Sequence, residues 1–372
     1  MKKTFVPFFN YPHVYNQYSN IIKPKLISVL KKGAFILQTE LETFEKKLSK
    51  FLNAKYVIGV ADGTNAILLS LKALNLKKGD EVIISSHTYI ATASAIHDSG
   101  GIPVVIDCKK DFMMDENKIE KAISKKTKFI IPTQLNGRVC EMDKILKIAK
   151  KYRLKVVEDG AQSIGAKYKN KNSTTFGLTG TLSFYPAKIL GCFGDGGAII
   201  TNNKTIAEKL FKLRDHGRGK SGKVETWGTN SRLDNIQALV LSIKLNYLKK
   251  DLNRRRELAS IYNQGLKDIK ELNLPPPPNK NSKNFDVFQN YELTAQKRDN
   301  LRKYLKKNGI STLIQWNGQA IHSIKGIKVK KVSYRETENI FKKILMLPLN
   351  TSLKNSDVKY VIKKIRFFYG YK

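Results

Sequence analysis

Lys188 stands at the end of Ser183-Phe184-Tyr185-Pro186-Ala187-Lys188, with Gly191-Cys192-Phe193-Gly194-Asp195-Gly196-Gly197 close behind it. Upstream, Asp159 follows the apolar run Val156-Val157-Glu158 and leads into Gly160-Ala161-Gln162. An acid at a strand end and a lysine among small residues together meet the needs of a pyridoxal phosphate site. The amine can form a Schiff base with the cofactor's aldehyde, and the carboxylate can keep the pyridine nitrogen protonated so that the ring accepts electrons. Taken singly, Asp159 reads equally as a helix N-cap and Lys188 as a surface charge. Further groups of the same kind lie elsewhere. Asp62-Gly63-Thr64-Asn65 follows an apolar run and opens a helical one. There glycine lets the backbone approach a phosphate, and the amides of the helix start can bind it with the Thr64 hydroxyl. The same pattern is also an ordinary turn and cap. Tyr89, in His87-Thr88-Tyr89-Ile90-Ala91-Thr92, could lie over a flat heterocycle or simply pack. Ser183 could donate to a phosphate or serve as a turn serine.

These residues fall at the ends of short apolar runs. Segments 56–60, 81–84, 102–106, 129–132 and 155–158 read as buried strands, with helical stretches such as 65–74 between them. Residues 55–215 therefore predict a mostly parallel sheet covered by helices. Ligands of such sheets gather at strand carboxyl ends, where Gly63-Thr64, Tyr89 and Asp159 lie. Residues 235–270 predict a long charged helical stretch containing Arg254-Arg255-Arg256, and Pro275-Pro276-Pro277-Pro278 predicts a rigid connector. Segments 287–294 and 311–315 read as strands on either side of a helix over 297–307, and 358–367 as a closing helix. That pattern predicts a large domain over 1–250, with its N-terminal segment, and a small α+β domain over 251–372.

Composition narrows the class. The 372 residues are 41% hydrophobic with 24 glycines, which fits a soluble α/β enzyme. No run approaches the roughly 18 uncharged apolar residues of a membrane span. The start Met1-Lys2-Lys3-Thr4-Phe5-Val6-Pro7 lacks the apolar run of a signal peptide, so a cytoplasmic location and no membrane partner are expected. Cys108, Cys140 and Cys192 lie far apart with no CxxC pair, predicting neither disulfides nor a metal site. A formal charge of +37 admits nucleic acid, an anionic surface or an acidic substrate. The excess is carried by 56 lysines against 12 arginines, scattered from Lys2 to Lys372. Nucleic-acid readers concentrate arginine and interleave aromatics on one face. Lys46, Lys47 and Lys50 instead read as a solvated helix face, and lysine-rich usage can reflect an A/T-rich genome. No nucleic-acid partner is expected, although the field would attract an anionic nucleotide substrate.

In order and spacing, Gly63-Thr64, His87-Thr88-Tyr89-Ile90-Ala91-Thr92, Glu158-Asp159-Gly160-Ala161-Gln162-Ser163 and the Ser183–Lys188 segment resemble the DegT/DnrJ/EryC1/StrS family of pyridoxal phosphate-dependent nucleotide-sugar aminotransferases. The resemblance continues through His216-Gly217 and Gly228-Thr229-Asn230-Ser231-Arg232-Leu233-Asp234 and covers essentially the whole chain. It implies the fold-type I aspartate aminotransferase architecture: an α/β large domain on a mostly parallel seven-stranded sheet, plus a small C-terminal α+β domain. It further implies that Lys188 carries the cofactor, Asp159 meets the pyridine nitrogen, Gln162 the ring hydroxyl and Tyr89 the ring face. Gly63, Thr64 and Ser183 would hold the phosphate. Asn230 is similar to the residue that reaches the phosphate from a partner subunit, and Arg232 to a nearby substrate-site arginine, implying a homodimer with shared sites.

Some members carry histidine at the lysine position and dehydrate the sugar. Lys188 favours the aminotransferase branch, with L-glutamate as donor and a nucleotide-linked keto sugar as acceptor. Segment 185–197 resembles members acting on 3-keto rather than 4-keto sugars. Segment 313–322 departs from the Tyr-Pro-x-Pro-x-His form of the family, leaving His322 either at the sugar or diphosphate or in a structural role. The implied product is an amino sugar for lipopolysaccharide, O-antigen or capsule. The alternatives are dehydration and a regulatory, nucleic-acid-binding role on the same fold.

Overall fold

The computed structural model describes residues 4–279, 282–327, 329 and 333–372. Five strands come first: β1 (Tyr56–Val60), β2 (Glu81–Ser85), β3 (Ile102–Ile106), β4 (Thr127–Ile131) and β5 (Lys155–Asp159). A short hairpin of β6 (Lys167–Tyr168) and β7 (Lys171–Asn172) precedes β8 (Thr179–Ser183) and β9 (Gly197–Thr201). Seven of these form one sheet in the order β1-β9-β8-β5-β4-β2-β3. Neighbours from β8 to β3 pair in parallel, and β9 runs antiparallel to both β8 and β1.

Helices cover both faces, so successive strand residues enter different cores. In β2, Ile83 packs with Ile130, Phe112 and Phe44. Val82 and Ile84 pack with Leu71 and Ile96 from the opposite helices. All six parallel strands direct their carboxyl ends to one edge, and that edge carries Gly63, Tyr89, Asp159 and the loop after Ser183.

The remaining strands are β10 (Leu272–Asn273), β11 (Asn284–Phe285), β12 (Tyr291–Ala295) and β13 (Ile344–Leu347). β10, β12 and β13 form a small antiparallel sheet. It shares a second core with helices Leu248–Leu266 and Asn355–Tyr369 through Leu258, Tyr262, Leu293, Leu345 and Val361. Val6, bridged to Ile310, belongs to that core as well. Pro275–Pro278 carries neither helix nor strand. Among the described residues no helix is long and apolar enough to cross a membrane, and no group of three or more His, Cys, Asp or Glu could hold a metal ion.

The structure corrects three expectations. The helical stretch over 235–270 is two helices, Asn235–Leu245 and Leu248–Leu266. The strand expected over 287–294 begins only at Tyr291, because Phe288 turns the chain with φ 53. Segment 311–315 is not a strand. A single bridge joins Leu313 to Met346, and Trp316 and Asn317, with φ 48 and 55, fold the chain out of extended geometry.

Candidate active site

Asp159 closes β5 and is 5% exposed. Its Oδ1 accepts from the Ala161 amide at 3.2 Å and its Oδ2 from the Thr92 hydroxyl at 2.7 Å. No helix begins there, so Asp159 is not a helix N-cap. The Thr92 hydroxyl lies 3.0 Å from that of Thr88, which lies 2.7 Å from that of Thr133. Each hydroxyl has one proton to give. Because Thr92 donates to the carboxylate, Thr88 must donate to Thr92 and Thr133 to Thr88. Three hydroxyls, from the turn after β2, from helix Ile90–Asp98 and from the end of β4, therefore donate one to the next toward Asp159 Oδ2 and fix its orientation. Beside it, the buried Glu158 carboxylate accepts from Gln134 Nε2 and from the Thr174, Phe176 and Gly177 amides, anchoring the approach to β8.

Lys188 sits in a tight loop between β8 and β9. The loop is closed by the Cys192 amide on the Phe184 carbonyl and the Lys188 amide on the Tyr185 carbonyl, both at 2.8 Å. A Cβ at Gly191 would stand 2.6 Å from the Pro186 carbonyl oxygen, so only glycine allows this turn. Phe184 anchors the loop edge-on against Phe44, with centroids 5.4 Å apart, a pairing worth about 0.5–1.5 kcal/mol beyond its buried area. The lysine is partly buried. Burial pushes its amine below the ordinary lysine range, while the charge of Asp159 opposes that shift. A lysine in this state is a better nucleophile and base near neutrality than a solvated one.

Asp62 caps helix Gly63–Ala73, its Oδ1 accepting from the Asn65 amide at 2.8 Å. The amides of Gly63 and Thr64 belong to the first turn, where no intrahelical acceptor exists and the helix dipole is positive. A Cβ on Gly63 would lie 2.9 Å from Ser183 Cβ, so the bare glycine lets the helix start and Ser183 share one cup. Ser183 Oγ accepts from the Tyr185 amide at 3.3 Å, which leaves its proton to donate. Tyr89 is 52% exposed beside Thr88, its ring 6.0 Å from that of Trp316. Gln162 Oε1 accepts from the Asn136 amide at 2.7 Å. That bond fixes the flip of the side chain and leaves Nε2 as a donor. An anion cup, an exposed aromatic face, an amide donor, a carboxylate and an amine of lowered pKa fit a phosphorylated, hydroxylated pyridine aldehyde group for group.

Three other expected residues find their bonding partners outside this group. His322 Nδ1 meets Ser86 Oγ at 2.5 Å, and its ring stacks on Tyr334 at 4.1 Å. Its Nε2 lies 3.7 Å from Glu338, and burial lowers its pKa. Asn230 is exposed and accepts from Arg232 Nε at 3.0 Å, while Arg232 Nη1 reaches Asp215 at 3.4 Å. Trp227, in the same loop, is 96% exposed. Among the described residues, no hydrogen bond joins Asn230, Arg232 or His322 to Lys188 or Asp159.

Sequence reading missed Thr88, Thr92 and Thr133, together with Asn136, Gln289 and Trp316. The i, i+4 spacing of Thr88 and Thr92 was an available signal. Gln289 and Trp316 had none, since they reach the site through the folding back of the C-terminal third.

The family model of the DegT/DnrJ/EryC1/StrS aminotransferase family matches residues 17–366. The chain is 36% identical over 369 residues to a protein of Geobacillus stearothermophilus named pleiotropic regulatory protein, covering 98% of each. It is 36% identical over 371 residues to the dTDP-3-amino-3,6-dideoxy-alpha-D-galactopyranose transaminase of Aneurinibacillus thermoaerophilus, covering 98% of this chain and 100% of the relative. Among solved structures it is similar to the crystal structure of Streptomyces venezuelae DesV in complex with a ketimine intermediate. The TM-score is 0.94 at 34% identity, with 98% of both chains covered. Sequence and fold agree along nearly the full length, and the chain belongs to the DegT/DnrJ/EryC1/StrS aminotransferase family, as a fold-type I enzyme that depends on pyridoxal phosphate.

Proposed function

We propose that the protein moves an amino group from L-glutamate to the C3 keto group of a nucleotide-linked sugar. It does so in the cytoplasm, as a homodimer, and supplies amino sugars for surface glycans such as lipopolysaccharide. The observation that carries this reading is the partly buried Lys188 amine, its pKa lowered, set against the threonine-held carboxylate of Asp159. The name of the Aneurinibacillus relative, a 3-amino-sugar transaminase, supports amination at C3.

Pyridoxal phosphate, when bound, supplies an electron sink that eases removal of a proton from the carbon bearing the amine. Asp159 would hold a proton at the pyridine nitrogen, with Thr92 keeping that carboxylate in place. Gln162 Nε2 would donate to the ring hydroxyl oxygen, and Tyr89 would cover one ring face. The Gly63 and Thr64 amides, with the Thr64 and Ser183 hydroxyls, would hold the phosphate. Lys188 Nζ takes the proton from Cα of the donor and returns one, as base and then acid. Glutamate leaves as 2-oxoglutarate, and the keto oxygen of the sugar leaves as water. Arg232 and His322 are assigned to the sugar nucleotide. Asn230, exposed on its own chain, is assigned to the phosphate in the partner subunit.

Purified protein incubated with L-glutamate and a panel of 3-keto and 4-keto sugars on UDP, dTDP and GDP is expected to aminate a 3-keto member, read by mass spectrometry with 2-oxoglutarate release. Lys188→Ala is expected to lose both the amination and the absorbance of the lysine-linked cofactor. Amination of 4-keto sugars alone would overturn the C3 assignment, and turnover in Lys188→Ala would overturn the role of the lysine.

A further inference from the structure

The backbone on either side of Lys188 is gripped by one side chain from the C-terminal third. Gln289 Nε2 donates to the Ala187 carbonyl at 2.9 Å, and the Ile189 amide donates to Gln289 Oε1 at 2.9 Å. The amide thus pairs with the residues flanking the lysine as a strand neighbour would, using one donor and one acceptor at once. Gln289 is 6% exposed and is itself tied down. Arg255, 7% exposed on helix Leu248–Leu266, donates from Nε to the Phe288 carbonyl at 3.1 Å and from Nη2 to the Gln289 carbonyl at 2.8 Å. A close approach holds the other side. Gly137, at φ +88, would place a Cβ 2.8 Å from the Phe288 and Gln289 amide nitrogens, and its carbonyl accepts from the Val287 amide at 2.9 Å.

We propose that Gln289 is a positioning residue that sets where Lys188 Nζ points, with Arg255 bracing it, so that the reacting lysine is held by both the large sheet and the small domain. The loop after β8 leaves Ala187 and Ile189 with backbone groups that the sheet does not pair, and a backbone amide or carbonyl drawn from water without a partner is destabilising. Only a side chain carrying a donor and an acceptor at this reach satisfies both. Glutamate has the length but lacks the donor, and asparagine has the amide but lacks the length. A lysine whose flanking backbone is released swings toward water and loses the desolvation that lowers its pKa. Asp159 faces the amine across the site, and His13, Lys244, Asp251 and Arg255 are the other charged groups lining its hollow.

The proposal rests on Lys188 being the reacting amine, so its test includes a measurement made without cofactor. In cofactor-free protein, the pH dependence of Lys188 acylation, followed by peptide mass spectrometry, gives the midpoint of the amine. Gln289→Leu is expected to raise that midpoint by about one pH unit, since solvent returns to the amine. In the holoenzyme kcat should fall about tenfold or more with KM nearly unchanged, as expected for lost alignment. Gln289→Asn tests the same point with the amide retained and should fall between wild type and leucine on both readouts, so a leucine variant that fails to fold does not end the test. A wild-type midpoint and wild-type turnover in either folded variant would overturn the proposal. If the wild-type protein takes no cofactor, the proposed function fails, while the amine midpoint still decides the role of Gln289.

Discussion

Asp159 and Thr92 show how much a single contact decides at this site. Asp159→Asn keeps the outline and removes the charge, and kcat is expected to fall about 10²-fold or more, the cost of losing one preorganised electrostatic group. Thr92→Val keeps the shape but ends the line of hydroxyls, and about a tenfold fall in kcat is expected from one lost hydrogen bond to a charged group. Steady-state kinetics and the spectrum of the bound cofactor check both variants, and near-normal turnover in Asp159→Asn would reduce the carboxylate to a structural role. Lys188 and Asp159 were legible in the sequence because the chemistry demands their residue types. The threonines were not, since a hydroxyl is ordinary at a strand end or on a helix until its partner is known.

At the scale of elements, five strands of the large sheet stood out because they are apolar runs covered on both faces. β8 did not, since Thr179-Gly180-Thr181-Leu182-Ser183 is made of small residues. The reason is steric: a Cβ at Gly180 would lie 2.2 Å from the Thr174 carbonyl oxygen. β12 carries another feature that periodicity hid. Glu292 is buried on it, accepts from the Asn136 side-chain amide, and has its Oε2 3.8 Å from Nε2 of buried His87. Lys110, Asp111, Arg138, Asp286, Glu336 and Lys343 line the same cavity of about 430 Å³. Burial pushes Glu292 up to about 8 and His87 down to about 3, so near neutrality both are uncharged. For an acid whose folded pKa is raised, the stabilising contribution is full below its unfolded pKa and is lost as pH rises through about 8. Thermal melts should therefore show wild type losing stability from about pH 4.5 to about pH 8 more steeply than Glu292→Gln, with the two parallel above that range. Parallel slopes within it would show that Glu292 is already ionised at neutrality.

For the whole molecule, a patch of exposed apolar residues flanks the lysine loop. Tyr11, Tyr15, Tyr185 and Phe193 are each 38–52% exposed, and Tyr15 and Phe193 are 6.0 Å apart. Such a patch suits self-association and agrees with the proposed homodimer. If Asn230 serves the partner's site, mixing inactive Lys188→Ala with inactive Asn230→Ala should restore activity once subunits exchange. Verified heterodimers without activity would place Asn230 in its own chain's site. The strand order has a consequence of a different kind. β1 pairs with β9, Tyr56 opposite Thr201, so the cup shared by Gly63 and Ser183 closes only after a long intervening chain has been gathered in. Non-local pairing of this sort makes folding slow. A chain made from its N-terminus must keep β1 and its helix without their neighbour until β9 emerges. A half-built sheet has no cup, and the ligand can grip only the finished one. Vitamin supply would then shift how much protein stays folded, by mass action, without hastening how quickly each copy gets there.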